Sequence, residues 1–339
     1  MRSGPVLRAV VGGLISIVAL WFVLRGVDLA RTGDLLRSAD LRWVAFAALL
    51  LSLDLVFRAF RWQRLLRPIA AVGYLPMLGY LLIGYVANNV LPARLGELIR
   101  VHYLGDREGI SRASALGTVV VERVVDLVAV VTIGSVALLV LSVRGVVANA
   151  ILVGAAVAGL FLIVLALGIV AHRLPGMDRI AALVGRYPKV GQLALSLQDG
   201  LAVARRPRTL AEALIASAAA WSMAILAFAA VGQAIGVELS IGQAALIASG
   251  VALASAVPAG PSNLGTFEFA AVEISKAIGV PAESAFALAL LVHATILVVT
   301  SVGGGIAFAR LGWKDRSRAA DEAADEAADE AADGAAIRP

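Results

Sequence analysis

Eight apolar runs recur along this chain, and each is long enough to approach or complete a bilayer crossing, which takes about 20 residues. Hydrophobic residues make up 60% of the sequence and charged residues only 16%, so the composition lies outside that of water-soluble domains. The polar remainder is too short for a separate catalytic domain. We therefore predict an all-α polytopic membrane protein. The runs are 6–24, 41–57, 74–91, 114–142, 150–171, 210–236, 243–257 and 283–309.

Cysteine and histidine usage excludes several kinds of site. The chain has no cysteine, which rules out disulfides, thiolate metal sites and a cysteine nucleophile. The three histidines, His102, His172 and His293, are far apart in the sequence, so we expect no metal site and no cofactor. The first apolar run has no small-residue cleavage pattern and is long for a signal peptide, and we interpret it as a retained helix.

The distribution of arginine predicts the topology. The loop at 58–73 and the long segment 172–209 are rich in arginine, and the positive-inside rule places both in the cytoplasm. The connections at 237–242 and 278–282 contain no lysine or arginine and are expected outside. Basic residues after the last run belong inside as well. We therefore expect a multi-pass protein of the inner (cytoplasmic) membrane with both termini in the cytoplasm.

With this topology, two apolar runs have to enter the membrane and return. The hairpins are predicted over about 74–104 and about 243–277. Proline removes a backbone donor and disfavours helix at the preceding residue, while glycine permits tight turns. About six full transmembrane helices plus two re-entrant hairpins result, whereas eight plain spans would result if 94–112 lay outside. The predicted helix breaks are Pro92, Gly96, Pro258, Pro261 and Gly265.

An internal repeat accompanies the hairpins. Residues 109–116 and 279–286 align at an offset of 170 positions, each at the start of the helix that follows a hairpin. At nearly the same offset, Glu97 corresponds to Glu268 and Arg123 to His293. Because the two units enter from opposite faces, we predict an inverted repeat, which is a known architecture of transporters with discontinuous helices. Chance similarity between segments rich in alanine, leucine and glycine is the alternative.

Six ionisable residues lie in the first hairpin and the helix after it. A charge at the bilayer centre costs at least about 2.5–3.5 kcal/mol, so these side chains must pair or face water. One explanation is a salt-bridge cluster that holds the hairpin to the helix. The other is that the arginines bind a lipid phosphate, for which the guanidinium fork is suited, while the glutamates orient them. The six are Arg94, Glu97, Arg100, Glu122, Arg123 and Asp126.

Further polar residues stand near both breaks and suit a pathway lined by both halves of the chain. Each also has a plainer explanation. Ser262 and Asn263 would cap a helix beginning at Leu264, the asparagines of the first break would satisfy freed carbonyls, and the histidine would be a packed core residue. Asp54 and Arg58, one turn apart, are expected to form an ordinary helix pair. The candidates are Asn88, Asn89, Asn263, Glu268 and His293.

With these motifs the chain, over about residues 6–310, resembles the lysylphosphatidylglycerol synthase transmembrane-domain family. This is the flippase-like membrane half of multiple peptide resistance factor, which also occurs as stand-alone proteins. The most specific stretches are Asn89-x-x-Pro92-x-Arg94-x-Gly96-Glu97-x-x-Arg100, Glu122-Arg123-x-x-Asp126 and Pro258-x-x-Pro261-x-x-x-Gly265-x-x-Glu268.

The resemblance implies movement of lipids between leaflets, with aminoacylated phosphatidylglycerol or glycan-carrier lipids as cargo, and no chemistry by this domain. The chain departs from the family in two respects. The soluble aminoacyl-transferring domain of some members has no counterpart here, so we expect no aminoacylation. His293 stands where the family commonly has arginine, which weakens the expected anion contact in the second half.

The leading hypothesis is a non-enzymatic lipid translocase. Residues 1–310 would form a single transmembrane domain that flips or scrambles an anionic, aminoacylated or polyprenyl-phosphate-linked lipid through a polar cavity. The segment 172–209 and the acidic low-complexity tail 311–339 would be cytoplasmic. Expected partners are the lipid, a second copy of the chain or a lipid-processing enzyme, and no nucleic acid.

Two other functions are consistent with the sequence. One is a non-catalytic membrane partner of a glycosyltransferase. The other is an intramembrane lipid-linked transferase or hydrolase, which needs a general acid or base. Its candidate acids and bases are Glu97, Glu122, Asp126 and Glu268.

Overall fold

The protein is described here from a computed structural model, which describes residues 4–91, 95–170, 200–256 and 259–336. In these ranges it is helical throughout and contains no strand. The helices are α1 Gly4–Leu24, α2 Leu29–Arg37, α3 Leu41–Leu66, α4 Tyr74–Val90, α5 Gly96–Glu108, α6 Arg112–Leu141, α7 Val146–Val170, α8 Pro207–Ala234, α9 Ile241–Ala254, α10 Thr266–Ala277 and α11 Ala282–Ala336.

Each predicted apolar run corresponds to one helix. Four helices within the described ranges are long and apolar enough to cross a membrane, namely α3, α6, α8 and the part of α11 over Ala282–Leu311. The pair α1 and α2, bent by 90°, adds a fifth if it is one broken span. The chain is therefore a multi-pass membrane protein, as the composition predicted.

The prediction of a loop at 58–73 is wrong. Helix α3 continues to Leu66, so Arg58 and Arg61 are part of the helix and are buried or nearly so. Their charges are compensated by carboxylates of α3 and α6, which allows them to lie inside the protein. Of the four arginines assigned to that loop, only Arg64 and Arg67 lie at the helix end.

Two further differences concern segments at the edges of the apolar runs. Helix α2 was not predicted; the side chain of Asp28 starts it by accepting hydrogen bonds from the amides of Ala30 and Arg31. Most of the predicted basic segment 172–209 lies outside the described residues, although α8 already begins at Pro207. In the predicted tail, α11 continues as a helix to Ala336.

Helices α3 and α8 pack against each other in antiparallel orientation along their whole length. At one end, the amide of Asp40 donates to the carbonyl of Ala234 at 2.9 Å, and further along Arg61 reaches Ser217. Seven of the twelve buried residues of α8 are alanines, and the others are Ser217, Trp221, Phe228, Val231 and Gly232. Small residues let the two backbones approach closely, which is the usual way that helices associate within a membrane.

Helices α4 and α5 form an antiparallel hairpin. Close to the turn, the amide of Gly96 donates to Asn88 Oδ1 at 2.8 Å. Far from the turn, the hydroxyl of Tyr80 donates to Glu108 Oε1 at 2.7 Å, as expected for two helices that run in opposite directions. Between these contacts Gly84 packs against α5, where a Cβ would lie only 2.9 Å from the carbonyl oxygen of Gly96. The predicted break at Pro92 lies outside the described residues, but the helices end on either side of it.

Helices α9 and α10 form the second hairpin, and the turn between them contains a short 3₁₀ segment, Pro261–Asn263. Ser262 and Asn263 adopt left-handed backbone conformations, with φ of 57° and 58°. Gly265 has φ of 87°, a value that glycine adopts without steric cost. Helix α10 begins at Thr266, not at Leu264 as predicted, and Pro258 lies outside the described residues.

The two hairpins lie end to end along α11. Near the first third of α11, His293 Nε2 is 3.0 Å from the carbonyl oxygen of Ser262, at the turn of the second hairpin. One or two turns later, Thr300 Oγ1 accepts from Asn89 Nδ2 at 2.9 Å, at the turn of the first hairpin. Further on, Ala307 lies beside Gly79 in α4. The two turns also meet directly, since Ser262 Oγ donates to the carbonyl of Asn89 at 2.8 Å.

The two hairpins also lie end to end along α6, but they follow each other there in the opposite order. Its first half contacts α5 of the first hairpin through the ion pair between Arg100 and Glu122. Its second half contacts α9 of the second hairpin, where Gly134 lies beside Ser249 and Leu141 beside Gly242. The turns of both hairpins are thus directed toward the middle of the two long helices α6 and α11.

Candidate functional site

A cavity of about 920 Å³ lies where the two hairpin turns meet, between α3, α6, α8 and α11. One part of its wall is apolar, formed by leucine, valine, alanine and phenylalanine side chains, and another part carries charges. Most of the predicted site residues reach this wall, which joins positions far apart in sequence. Those that line it are Asn88, Asn89, Glu97, Arg100, Arg123, Asp126, Asn263 and His293, together with the predicted helix break Gly96.

Three predicted residues are placed differently. Glu122 and Glu268 are each 1% exposed and lie behind the wall, where they bind side chains that do line it. Arg94 lies outside the described residues. The sequence reasoning therefore did not separate the surface of the cavity from the layer of side chains that supports it.

Asp126 is held by a buried arginine that the sequence did not point to. Arg61 has no exposed side-chain surface and donates to both carboxylate oxygens of Asp126, at 2.6 and 2.9 Å. The same guanidinium donates to Ser217 Oγ at 2.7 Å, and Trp221 Nε1 donates to Asp126 Oδ1 at 3.3 Å. These bonds connect α3, α6 and α8 at one point, so that Asp126 is fixed in the wall of the cavity.

Glu122 is the centre of a second group of charges. Arg100 donates to both of its oxygens at 3.1 and 3.3 Å, Arg61 Nη2 lies 3.3 Å away, and Arg123 also donates to it. The Arg100 guanidinium lies over the ring of Trp62, 4.4 Å from its centroid. The contact between Arg100 and Glu122 holds the first hairpin to α6, as the salt-bridge explanation expected.

The predicted helix pair of Asp54 and Arg58 is present in α3, and Arg58 also reaches a carboxylate of α6. Arg58 Nε lies 2.8 Å from both oxygens of Asp54, and its Nη1 lies 3.7 Å from Asp126 on the next helix. Its guanidinium also lies over the ring of Trp221, 5.2 Å from the centroid. Both members of the pair line the cavity. Arg58 and Arg61 are therefore the functional candidates that the sequence reasoning missed.

Not every donor and acceptor of this cluster is satisfied within the protein. The side chain of Arg123 is 41% exposed, and its Nε has no hydrogen-bond partner. The Oε2 atom of Glu97 is buried and accepts no hydrogen bond. Because a buried polar atom without a partner costs about 1–3 kcal/mol, atoms of this kind are suited to meeting a polar ligand. Arg61 Nε also has no partner, but Arg61 does not line the cavity, so Arg123 and Glu97 are the members of the cluster that point to binding.

The second hairpin contributes a pair formed by Glu268 and His293. His293 Nδ1 lies 2.5 Å from Glu268 Oε1, and the other carboxylate oxygen accepts from the amide of Gly265 at 2.6 Å. The second ring nitrogen faces the carbonyl oxygen of Ser262, which can only accept. Both ring nitrogens of His293 therefore lie within hydrogen-bond distance of an oxygen atom. Phe267 stacks on the ring at 4.3 Å.

The two asparagines of the first hairpin, Asn88 and Asn89, bind different partners. Asn88 Oδ1 accepts from the amide of Gly96, so it satisfies a freed N–H group and not a freed carbonyl as the plainer explanation expected. Asn89 donates to Thr300 and Ser301 of α11. The capping role expected for Ser262 and Asn263 is wrong, because the side chain of Glu268 caps the start of α10 and the hydroxyl of Ser262 bonds to the other hairpin.

Metal binding has no suitable ligand group in the described part of the chain. No three histidine, aspartate or glutamate side chains there are grouped so that they could hold a metal ion. The carboxylates of the cavity are instead each paired with arginine or histidine, apart from Glu97.

Comparison with known proteins gives a family and two relatives. A family model described as the lysylphosphatidylglycerol synthase TM region matches residues 9–304. Glycosyltransferase AglD of Haloferax volcanii is 27% identical over 333 residues, which cover 87% of this chain and 53% of that protein. A UPF0104 membrane protein of Methanothermobacter thermautotrophicus is 31% identical over 116 residues, which cover 33% of this chain and 34% of that protein.

The lengths of these matches differ. The chain spans about half the length of the glycosyltransferase, and its match to the UPF0104 protein covers about a third of each chain. No solved structure matches the chain.

Proposed function

The chain belongs to the lysylphosphatidylglycerol synthase TM region family, and from this premise we propose that it moves a lipid between membrane leaflets. The cargo is a lipid with an anionic or aminoacylated head group or a polyprenyl-phosphate-linked lipid. The lipid would be flipped or scrambled through the cavity at which the two hairpins meet. The observation that carries the proposal is the meeting of both hairpin turns at a cavity with unsatisfied charged groups.

The arrangement of the hairpins supports a re-entrant topology. If α6 and α11 cross the bilayer, as their length and composition allow, hairpins that lie end to end along them enter from opposite faces. Their turns then meet near the middle of the membrane. The full crossings would be α1, α3, α6, α7, α8 and the first part of α11, with both termini on the cytoplasmic side of the inner membrane. Irregular backbone at that depth is tolerated where it lines a cavity.

The same contacts support an inverted repeat. Helices α3 to α6 and α8 to α11 each consist of a long helix, a two-helix hairpin and a second long helix. The first hairpin lies along the start of α6 and the end of α11, and the second lies along the end of α6 and the start of α11. Helices α3 and α8, which correspond in the two units, pack against each other. A two-fold axis in the membrane plane would produce these contacts, because it would place the second hairpin against α11 as the first hairpin lies against α6.

The charged part of the wall would bind the head group. Arg123 and Arg58 both reach the cavity, and guanidinium groups bind phosphate through two parallel hydrogen bonds. Their carboxylate partners Asp54, Glu122 and Asp126 hold the arginines in place without a phosphate. The apolar part of the wall would contact the first methylene groups of the lipid chains.

Lipid exchange in reconstituted vesicles tests the proposal. Liposomes would carry fluorescent phosphatidylglycerol, lysyl-phosphatidylglycerol or polyprenyl-phosphate probes, and exchange would be read as the fraction of probe reached by a quencher outside. We expect Arg123→Gln and Glu97→Gln to slow exchange at least about tenfold, since a charge-assisted hydrogen bond contributes about 1.5–3 kcal/mol. Arg37→Gln, which removes an exposed arginine from α2, is the matched control and should exchange at the normal rate. Folded wild-type protein that exchanges no probe would contradict the proposal.

A second candidate is a role as the membrane partner of a glycosyltransferase. It is favoured by the relative named glycosyltransferase AglD, of which the chain covers about half. In this case the described helices would present a lipid-linked substrate to an enzyme, and the chain itself would perform no catalysis. Deleting 312–339 should then release a co-expressed glycosyltransferase, whereas a protein that works alone should exchange lipid equally well without that tail.

Catalysis by this chain is the least supported of the three functions. A lipid-linked transferase or hydrolase needs a carboxylate that is free to accept or deliver a proton. Glu122 and Asp126 are each bound by several arginines, and Glu268 is bound by His293 and by the amide of Gly265. Glu97 is the carboxylate that such an enzyme would have to use.

A further inference from the structure

A second, smaller pocket lies at the end of the antiparallel α3–α8 pair, away from the central cavity. It has a volume of about 310 Å³ and lies where α3 ends and α8 begins. Four of its side chains are arginines and one is a carboxylate, which leaves an excess of three positive charges. Its lining in the described part of the chain is Arg64, Arg67, Pro68, Arg206, Arg208, Thr209 and Glu212.

The single carboxylate does not use up the donors of this pocket. Arg208 Nε lies 3.3 Å from Glu212 Oε1, and Arg64 Nη1 lies 3.8 Å from the other oxygen. The Nε atom of Arg64 is buried and has no hydrogen-bond partner. Neither Arg67 nor Arg206 forms an ion pair with a carboxylate in the described ranges. Several guanidinium N–H groups are therefore available at one place.

The position of Arg206 and Arg208 is unfavourable unless an anion is present. Arg206 directly precedes α8, and Arg208 lies in its first turn, where the partial positive charge of the helix end disfavours cations. No side chain caps this end of α8, and Pro207 has no amide proton. The amides of Arg208 and Thr209 thus remain without partners within the helix. Amides and guanidinium groups together would form an anion site.

We propose that this pocket binds a phosphate group. Four arginines provide the planar donor forks that match phosphate oxygens, and the pocket is large enough for one head group. Because it lies at the ends of two candidate membrane spans, α3 and α8, it lies at the level of lipid head groups. The phosphate would come from an anionic lipid of the adjacent leaflet or from a soluble phosphate compound. The site is separate from the cavity through which the cargo lipid would pass.

The test measures ligand binding by the purified full chain in neutral detergent. The probes are dioleoyl phosphatidylglycerol and inorganic pyrophosphate, and the readouts are lipid retention by native mass spectrometry and the rise in thermal unfolding midpoint. The variant Arg64→Gln/Arg208→Gln removes two charges from the pocket. Arg37→Gln/Arg42→Gln removes two exposed charges near the opposite end of α3 and is the matched control. Arg208→Gln alone changes a side chain that is 91% exposed, so it tests the site even if the double variant misfolds.

We expect a loss of affinity of at least about tenfold in the pocket variants and none in the control. Lipid retained in the presence of excess pyrophosphate would identify a membrane lipid as the source of the phosphate, and lipid displaced by it would identify a soluble compound; both support the site. Binding of neither probe to wild-type protein would overturn the proposal. Lipid binding that Arg123→Gln removes, and that the pocket variants leave unchanged, would also overturn it, because the lipid would then occupy the central cavity.

Discussion

Arg61 has no exposed side-chain surface, and its guanidinium binds partners on two other helices, Asp126 and Glu122 on α6 and Ser217 on α8. Burial of a charge is tolerated only when it is paired, and here the partners come from both of the other helices, although Arg61 Nε itself has no hydrogen-bond partner. The three helices are consequently joined by one side chain directly behind the cavity wall. Asp126 and Trp221, which line the cavity, are positioned through it.

Removing Arg61 should destabilise the protein. In Arg61→Met, Asp126 and Glu122 remain buried with fewer compensating charges, so we expect the free energy of unfolding to fall by about 3–5 kcal/mol. The measurement is unfolding by dodecyl sulfate titration in mixed micelles. Arg37→Met, which breaks an exposed pair with Asp34, should cost less than about 1 kcal/mol. Equal losses in the two variants would show that the buried network does not hold the helices together.

Two substitutions of Glu268 separate the contribution of its charge from that of its hydrogen bonds to His293 and Gly265. Glu268→Gln keeps an oxygen for the amide of Gly265 and gains a donor toward His293 Nδ1, so unfolding stability should change by less than about 1.5 kcal/mol. Glu268→Leu leaves both partners unpaired and should cost about 1–3 kcal/mol for each of them. Unfolding of both variants in the same detergent measures the difference. The prediction is contradicted if the glutamine variant is as unstable as the leucine variant.

The sequence carried a signal for the missed arginines that was not used. Asp54, Arg58 and Arg61 are spaced by four and three residues and therefore share one face of α3, the face that meets α6 and α8. A stripe of charged residues of both signs in an otherwise apolar helix is expected to face protein rather than lipid. Counting these arginines as loop residues concealed the stripe. Their partners on α6 and α8 could not be read from spacing, since spacing reports contacts only within one helix.

The helical hairpins depend on close backbone approach at a few glycines. In the first hairpin Gly84 faces the start of α5, and a Cβ there would lie within 3.3 Å of the carbonyl of Gly96 and two side-chain atoms of Arg100. The hydrogen bond from Gly96 to Asn88 fixes the same contact from the turn side. The spacing of α4 and α5 therefore positions Glu97 and Arg100, one residue and four residues after Gly96, at the wall of the cavity.

Adding a methyl group at Gly84 should separate the two arms. Gly84→Ala forces α5 outward or displaces Arg100, and overpacking of this kind costs about 1–3 kcal/mol. Gly33→Ala in α2 is the control, because a Cβ there meets no atom within 4 Å and the substitution should be neutral or slightly stabilising. Thermal unfolding midpoints in detergent measure both. An unchanged unfolding midpoint of Gly84→Ala would contradict the prediction, because α4 and α5 would then accommodate a methyl group without strain.

The elements themselves were largely predictable, for a physical reason. Apolar runs and prolines at their ends determine where helices lie and stop in a membrane, so the positions of α4, α5, α9 and α10 followed from sequence. Helix α2 did not follow, because it is short and polar and its start depends on capping by Asp28. The extension of α3 past residue 57 did not follow either. Charged residues indicate a loop outside the membrane unless their buried partners are known.

At the scale of the whole molecule, helices α3 to α6 and helices α8 to α11 contact each other around the cavity. The order of contacts along α6 is the reverse of the order along α11, and the turns of both hairpins meet between them. Sequence alignment at an offset of 170 positions predicts that the two sets of helices correspond, and the inverted repeat stays a prediction. The correspondence is not complete, because Arg123 pairs with Glu122 and Asp126, whereas His293 pairs with Glu268. The two halves thus differ in charge at the cavity.

The side from which each hairpin enters the membrane tests this account most directly. The natural chain has no cysteine, so Asp106→Cys at the base of the first hairpin and Lys276→Cys at the base of the second can each be labelled alone. The reagent is a membrane-impermeant maleimide added to sealed vesicles of known orientation, and both side chains are about half exposed. We predict that Asp106→Cys is labelled only from the cytoplasmic side and Lys276→Cys only from the opposite side. Labelling of both positions from the same side would contradict the opposed hairpins and, with them, the proposed lipid pathway.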